Sequence, residues 1–313
     1  MKNDTKTQFI KEKLCGNFLV VGLVRNCQNK IRNDILKLKS ALGAINELHW
    51  LLIESDSDDG TVDQLEELVA EIHNFRYLSL GNLRDKMPLR TERLAYCRNT
   101  YVDEILKNPI YKSLNFIVVS DFDGINTHIN KLAIDSCWYR NDWTAVFANQ
   151  RGPYYDVWTL RVKDWCAGDC WGEFRFYSRY IKNKDKVLRS CIYSKMITVP
   201  VGGDWIEVDS AFGGLAIYKR EIFNKSKYNG LNEFGQEVCC HVNFNEMARK
   251  EGAKLFINPN LVNAEITEHT KQLIFPGSAA RWIFCSLKLA VYSLVECKFI
   301  SEITHKLKNR LNR

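Results

Sequence analysis

Short apolar runs alternate along this chain with longer stretches in which apolar positions recur every three or four residues. Residues 17–24 read as a first buried strand. A helix over 30–42 follows, with Ile31, Ile35, Leu38 and Leu42 at helical spacing and Gly43 closing it. A second strand spans 49–53 and ends in an acidic turn, Glu54 to Thr61, that opens a helix with Thr61 as its cap and Leu65, Leu68, Val69 and Ile72 on its core face. A strand over 76–80, a helix over 90–105 and a strand over 116–120 continue the alternation, which is that of an α/β fold built on a parallel, doubly wound sheet.

Beyond Gly124 the pattern loosens. A short helix over 129–137, a strand over 144–148, an irregular aromatic region over 152–172, strand-like sequence over 208–218, a helix over 238–251 and a last strand over 254–258 are expected. Within 208–218 the small residues Ser210-Ala211-Phe212-Gly213-Gly214 leave room for a backbone or a ligand to come close.

The strand over 116–120 runs directly into Asp121-Phe122-Asp123-Gly124. Ligands of open α/β sheets bind at the carboxyl ends of strands, and alternation along an extended chain points Asp121 and Asp123 the same way. Two hard oxygen donors on one rim suit Mg²⁺ or Mn²⁺, which can hold a diphosphate in turn. The pair could also simply end a strand, because aspartate is common in turns and caps.

Composition leaves these expectations in place. With 313 residues, 46% hydrophobic and 26% charged, the chain can bury a large core. Eleven scattered cysteines, with no Cys-x-x-Cys pair, argue against a disulfide scaffold, a zinc ribbon or a thioredoxin-type motif and for reduced thiols. No apolar signal core follows the charged N-terminus, which predicts a cytoplasmic protein. The net charge of +7 hints at nucleic acid until it is located. From residue 271 onward eight Lys/Arg oppose two Glu, a net of +6, which leaves +1 for the first 270 residues and argues against a nucleic-acid surface on the body.

Several segments together resemble the GT-A glycosyltransferases, and among them the fungal capsule-associated mannosyltransferase family and its bacterial relatives. The resemblance is carried by Val24-Arg25-Asn26, Glu54-Ser55-x-Ser57-x-Asp59-Gly60-Thr61, Arg93-Leu94-Ala95-x-x-Arg98-Asn99 and Asp121-Phe122-Asp123. Downstream it continues in Tyr154-Tyr155-Asp156-Val157-Trp158-x-Leu160-Arg161, in Asp209 to Tyr218, and in Glu237-x-x-x-His241-Val242-x-Phe244-Asn245. It covers about residues 17 to 270 and implies a Rossmann-like, mostly parallel sheet with flanking helices. The activity it implies is metal-dependent transfer of a sugar, mannose by resemblance, from a nucleoside-diphosphate donor to a glycan or lipid-linked saccharide in surface polysaccharide synthesis. The domain expected over 1–275 has a donor half at 17–124 and an acceptor half at 125–270.

Roles follow from that resemblance. Asp123 would hold the cation, Asp121 would reach it directly, through water or by way of a ribose contact, and His269 would complete the metal shell. Arg25, Asn26, Glu54 and Asp56 lie after the first two strands, where base and ribose would bind. Arg93 and Arg98, five apart on a helix, would share a face poorly, so one would meet phosphate and the other a surface partner. Glu237 is the candidate base for an inverting reaction, with Asp209 and then Asp156 as competitors; in a retaining enzyme Glu237 would contact sugar instead. His241, one turn on, would share its face. Tyr155, Asp156 and Trp158, with Tyr154, Trp165 and Trp171, could form an acceptor platform or pack in the core.

The tail over 276–313 carries an apolar stripe over 282–299 and clustered basic residues. It suits a helix lying in the interface of an anionic membrane, which would place the protein peripherally on a membrane's inner face, or one docked on the body. Two other functions share these features: a nucleotidyltransferase acting on sugar phosphates, and a non-enzymatic membrane- or nucleic-acid-binding module that uses the tail.

Overall fold

The computed structural model describes residue 13 and residues 15–274; the tail helix expected over 282–299 lies outside the described residues. The chain divides into two units, Met1–Thr267 and Glu268–Arg313.

The first unit is built on one eight-stranded sheet: β1 (Asn17–Val24), β2 (Glu47–Glu54), β3 (Phe75–Ser79), β4 (Phe116–Ser120), β5 (Ala145–Gln150), β6 (Ile206–Glu207), β7 (Leu215–Lys219) and β8 (Leu255–Ala264). The strand order is β3-β2-β1-β4-β7-β5-β8-β6. β1 pairs in parallel with β2 and β4, β2 with β3, and β5 with β8, whereas β7 runs against β4 and β5, and β6 against β8. This is the mostly parallel sheet the sequence predicts, with two reversed strands in its second half.

Both faces are covered, which is why β1 and β4 read as apolar runs. On one face Phe18, Val20, Trp50, Leu52 and Val118 pack under α1 (Ile31–Leu42), α2 (Thr61–Glu71) and α4 (Lys131–Asp135). On the other, Leu19, Val21, Leu51, Ile53 and Val119 pack under α3 (Arg90–Lys107) and α7 (Cys240–Lys250). The parity of the residue numbers is the pleat itself.

Several expectations need correcting. Val69 is 44% exposed, because it lies about 100° around α2 from Leu68, off the stripe of Leu65 and Leu68. Thr61 does not cap α2: its hydroxyl accepts from the Cys27 amide at 2.8 Å, and Asp59 Oδ1 accepts the Thr61 amide at 2.9 Å instead. The region over 208–218 is strand only from Leu215, and Ser210 bridges to Arg161. Two short helices, α5 (Cys170–Tyr177) and α6 (Lys184–Cys191), fill a stretch without an expected element; in α6 Val187 and Cys191, four apart, are the buried positions.

In the second unit the described residues end in α8 (Lys271–Ile274), where Lys271 pairs with Glu268 at 2.5 Å. His269 belongs to this unit. No helix among the described residues is long and apolar enough to cross a membrane.

Candidate functional site

Parallel strands send their carboxyl ends to one rim. Val24, Glu54 and Ser79 stand at the same level in register, so the loops after β1, β2 and β3 leave side by side. Ser120, the last residue of β4, pairs with Leu215, the first of reversed β7, so Asp121 emerges where Gly213-Gly214 arrives. The Asp121 amide donates to Gly214 O at 3.0 Å.

A cleft of about 300 Å³ opens at this rim. Asp56, Asp121 and Asp123 line it from the strand ends, and Arg25 from the end of β1. Arg90, Arg93, Leu94, Cys97 and Arg98 line it from α3. Those five positions are i, i+3, i+4, i+7 and i+8, one continuous helical stripe. Arg93 and Arg98 therefore share the cleft, contrary to the expectation from their five-residue separation, because each sits at an edge of a stripe centred between them. Arg90 was missed in the sequence; the same count, begun one turn earlier, would have found it.

The basic groups are held differently. Arg90 is exposed in the first turn of α3. Arg93 donates to the carbonyls of Met87 and Pro88 at 2.5 and 2.9 Å, and its Nε lies 3.8 Å from Asp56 Oδ2. Arg98 is buried, donates to Cys240 Sγ at 2.9 Å and lies 5.7 Å from the centre of the Tyr228 ring. Arg25 is exposed, with its Nε donating to Asp56 O at 3.2 Å.

The acidic groups divide as well. Asp123 is exposed; its carboxylate meets the Ile125 amide at 3.3 Å and its carbonyl takes Lys30 Nζ at 2.7 Å. Burial and then the neighbouring Asp123 push the Asp121 carboxyl up to about 7, with Asp156 adding to the rise while Arg98 and Arg90 oppose it. Asp56 adopts a left-handed backbone, φ 60°, and its Oδ1 accepts the amides of Leu83 and Arg84 at 2.9 and 2.8 Å, which spends it on shaping the next loop.

Beneath the Asp121 loop lies a knot of buried amides. Asn126 Nδ2 donates to Asp121 O at 2.9 Å and Gly214 O at 3.2 Å. Asn263 Nδ2 donates to Asn126 Oδ1 and to Gly213 O, both at 2.7 Å, while its own Oδ1 accepts from Gln150 Nε2 at 3.0 Å. The knot joins the ends of β4, β5, β7 and β8.

Of the acceptor candidates, Asp156 Oδ2 accepts the Gly213 amide at 3.0 Å. A Cβ placed on Gly214, whose φ is 85°, would stand 2.8 Å from the Tyr155 hydroxyl, so the small-residue run admits Tyr155 as well as the backbone. Gly213-Gly214 thus meets Asp121, Tyr155 and Asp156, and burial first and then Asp156, Asp121 and Asp123 raise the Tyr155 phenol well above its ordinary value. Trp158 is half-buried, and its indole N–H has no partner among the described residues. Tyr154 is fully buried with its ring 5.4 Å from that of Trp165, so these two pack in the core.

Other sequence candidates stand elsewhere. Glu54 is buried beneath the rim, accepting the Ser57 amide at 3.0 Å and the Ser79 hydroxyl. Asn26, at φ 49°, holds the neighbouring loop through Asp58, donating to its carboxylate at 2.6 Å and accepting its amide at 2.9 Å. Asp209 is exposed and pairs with Arg249 at 3.3 Å, nine residues along α7 from Cys240 and so about 13 Å from Arg98's end of that helix. Glu237 is not at a helix start, because α7 begins at Cys240, and it shares no helical face with His241. Its Oε2 accepts the amide and hydroxyl of Thr91, in the first turn of α3, at 2.8 and 3.0 Å. His241 is buried against Phe212, ring centres 4.1 Å apart, and burial and then Arg98 hold it neutral.

No family model and no curated protein sequence matches the chain. Among solved structures it is similar to the mannosyltransferase PcManGT from Pyrobaculum calidifontis, in complex with GDP-Man and Mn²⁺, at 13% identity, over 89% of this chain and 74% of that one, with a TM-score of 0.44. It is similar to residues 1–349 of S. aureus TarS in complex with UDP-GlcNAc, at 13% identity, over 80% of this chain and 59% of that one, with a TM-score of 0.48. It is also similar to glucosyl-3-phosphoglycerate synthase from Mycobacterium tuberculosis, in complex with Mn²⁺, UDP and phosphoglyceric acid, at 11% identity, over 83% of this chain and 71% of that one, with a TM-score of 0.42.

Proposed function

We propose that the chain is a glycosyltransferase that takes a sugar from a nucleoside-diphosphate donor and passes it to a glycan or lipid-linked saccharide, with mannose as the sugar its sequence segments suggest. The observation that carries this is the cleft, where one helix edge supplies three arginines and the strand ends supply Asp121 and Asp123. A diphosphate needs both, since arginines give charge-assisted hydrogen bonds and carboxylates hold the cation that bridges its oxygens.

The donor set suits Mn²⁺ or Mg²⁺. Asp121 and Asp123 offer hard oxygens, and burial first and then Asp123 raise the Asp121 carboxyl, a penalty on its charge that a bound cation would relieve. No group of three ligating side chains is gathered among the described residues, so diphosphate oxygens and water would fill the remaining positions. When bound, such a cation supplies charge neutralisation to the leaving diphosphate.

Arg90, exposed at the cleft, would meet the phosphates, and Arg98 would supply fixed positive charge behind them. Tyr155 and Asp156, beside Asp121, would meet the acceptor. In an inverting reaction Asp156, which stands with Tyr155 at Gly213-Gly214 where Asp121 emerges, would take the hydroxyl proton, while Glu237 caps α3 and Asp209 faces Arg249.

Thermal melting with a panel of nucleoside diphosphates tests this reading. A bound nucleotide raises the melting temperature by mass action, and the rise should need Mn²⁺ or Mg²⁺. A panel in which no nucleoside diphosphate moves the transition, with or without metal, overturns it.

A further inference from the structure

The most exposed apolar group on the body lies far along the chain from the cleft residues, in α5 and the turn after it. Phe176 is 52% exposed, Tyr177 46%, Tyr180 74% and Ile181 40%. Phe176 packs against Tyr177 and Tyr180, with ring centres 5.4 Å apart in each pair, so the rings form one cluster rather than scattered surface residues. Clusters of this kind on a protein surface mark contacts with something else.

Its surroundings are basic. Over 175–189 the residues Arg175, Arg179, Lys182, Lys184, Lys186 and Arg189 stand against Asp185 alone, a net of +5. The first 270 residues together net +1, so the rest of the body nets −4 and this segment is its positive pole. All six cations are exposed. Arg175 pairs with Asp169 at 3.0 Å, while among the described residues no carboxylate pairs with Arg179, Lys182, Lys186 or Arg189. α6 turns Val187 and Cys191 inward, which leaves its lysines facing out.

We propose that this face, the aromatic cluster of α5 ringed by the lysines and arginines of 175–189, rests on an anionic lipid membrane. Aromatic rings with a polar edge settle at the level of the headgroups, Phe and Ile reach the acyl boundary, and lysine stems extend along the apolar surface while their ammonium groups stay with phosphate. Each surface cation adds attraction to an anionic leaflet, which salt screens.

The charge pattern selects this occupant. The tail over 275–313 nets +5 and would repel the patch, and so would the same patch on a second copy. Single-stranded nucleic acid stacks on aromatic faces alone, whereas this patch also exposes the aliphatic Ile181, which the acyl boundary takes up and a base does not. The helix that carries the patch is anchored beside an acceptor candidate: Cys170, which begins α5, directs its thiol to Val157 O at 3.5 Å, next in the chain to Asp156. This inference stands on the surface alone and does not depend on the reading of the cleft.

The test is co-sedimentation of the full chain with vesicles of equal parts phosphatidylglycerol and phosphatidylcholine, and with phosphatidylcholine alone. Two double variants are compared with the parent, Phe176→Ser with Tyr180→Ser, and Lys182→Glu with Lys186→Glu; all four side chains are exposed, so the melting temperature checks that folding is kept. The parent should bind the anionic vesicles, more weakly as salt rises, and each double variant should bind roughly tenfold less or weaker still. Equal binding by parent and variants assigns the membrane contact to another part of the chain and overturns the proposal, as does absence of binding by the parent. A patch-dependent association with polyuridylate without vesicle binding, or a dimer dissolved by the Phe176/Tyr180 variant, overturns it in favour of those occupants.

Discussion

Glu237 and Thr91, 146 residues apart, are joined by two hydrogen bonds at the start of α3, where the Glu237 carboxylate accepts both the amide and the hydroxyl of Thr91. A carboxylate at a helix N-terminus takes up unpaired amides and complements the helix dipole. The same contact fixes one wall of the cleft, because Arg90, Arg93 and Arg98 all ride on this helix. Gly230 presses on the same turn; a Cβ there would stand 2.0 Å from Thr91 O.

The Thr91 amide, with the Thr91 hydroxyl and Arg90 acting alongside it against partial burial, holds the Glu237 carboxyl below its ordinary value of 4.5. Its contribution to stability is therefore present above that value and is lost as the pH falls below it and through the lower value of the folded state. Glu237→Gln should lower the unfolding free energy by about 1 kcal/mol at neutral pH, with the gap to the parent closing in acid. Urea titrations at several pH values measure this. An unchanged urea midpoint with abolished transfer would instead give Glu237 a part in the chemistry.

Arg90→Ala should lower the melting temperature of the free protein only slightly, because the side chain is exposed and its support of the Asp121 and Glu237 carboxylates is screened by solvent. It should weaken nucleoside-diphosphate binding roughly ten- to a hundredfold, the worth of a charged hydrogen bond to phosphate. Calorimetric titration against the nucleoside as well as its diphosphate separates the two, since only the diphosphate should lose affinity.

Asp121→Asn and Asp123→Asn should each abolish the metal-dependent part of nucleotide binding. The first should also raise the melting temperature of the metal-free protein, because burial first and then the neighbouring Asp123 and Asp156 penalise the Asp121 charge, which Arg98 and Arg90 offset only in part. A chelator should bring parent and variants to the same nucleotide affinity. Full metal dependence in both variants would remove the pair from the site.

Asn263→Ala removes a side chain that bonds Asn126, Gly213 and Gln150 in the buried knot. Leaving those groups unpaired should cost about 2–4 kcal/mol. Amide exchange should speed up first in the Asp121 loop and at Gly213-Gly214, before the outer strands β3 and β6, if the knot sets the rim. Uniform acceleration across the sheet would reduce Asn263 to ordinary packing.

The sheet was legible in the sequence because both of its faces are buried, so that β1, the 50–53 stretch of β2 and β4 appear as apolar runs. Asp121 and Asp123 were legible for the same reason, standing where one of those runs stops. The helix edge was harder. Arg98 carries no mark of burial in a sequence, since arginine usually reads as surface, and its partner Cys240 is 142 residues away. Glu237 looked like a base because a carboxylate near a small-residue strand suggests one, and only the distant Thr91 shows its task. α5 was hard to read because its aromatic and basic residues face outward and only Cys170 is buried, whereas α6 carried a readable period in Val187, Leu188, Cys191 and Ile192 that was overlooked.

The reversal of β7 changes what the rim can become. In an all-parallel sheet every connection at that edge is an exit, and neighbouring loops can only lean on one another. Here an incoming segment meets an outgoing one head-on, with the Gly214 carbonyl receiving the Asp121 amide. The long excursion between β5 and β7 can thus be lengthened, trimmed or rewritten over evolution while its return point stays fixed, so partner preference can drift without disturbing the carboxylate pair.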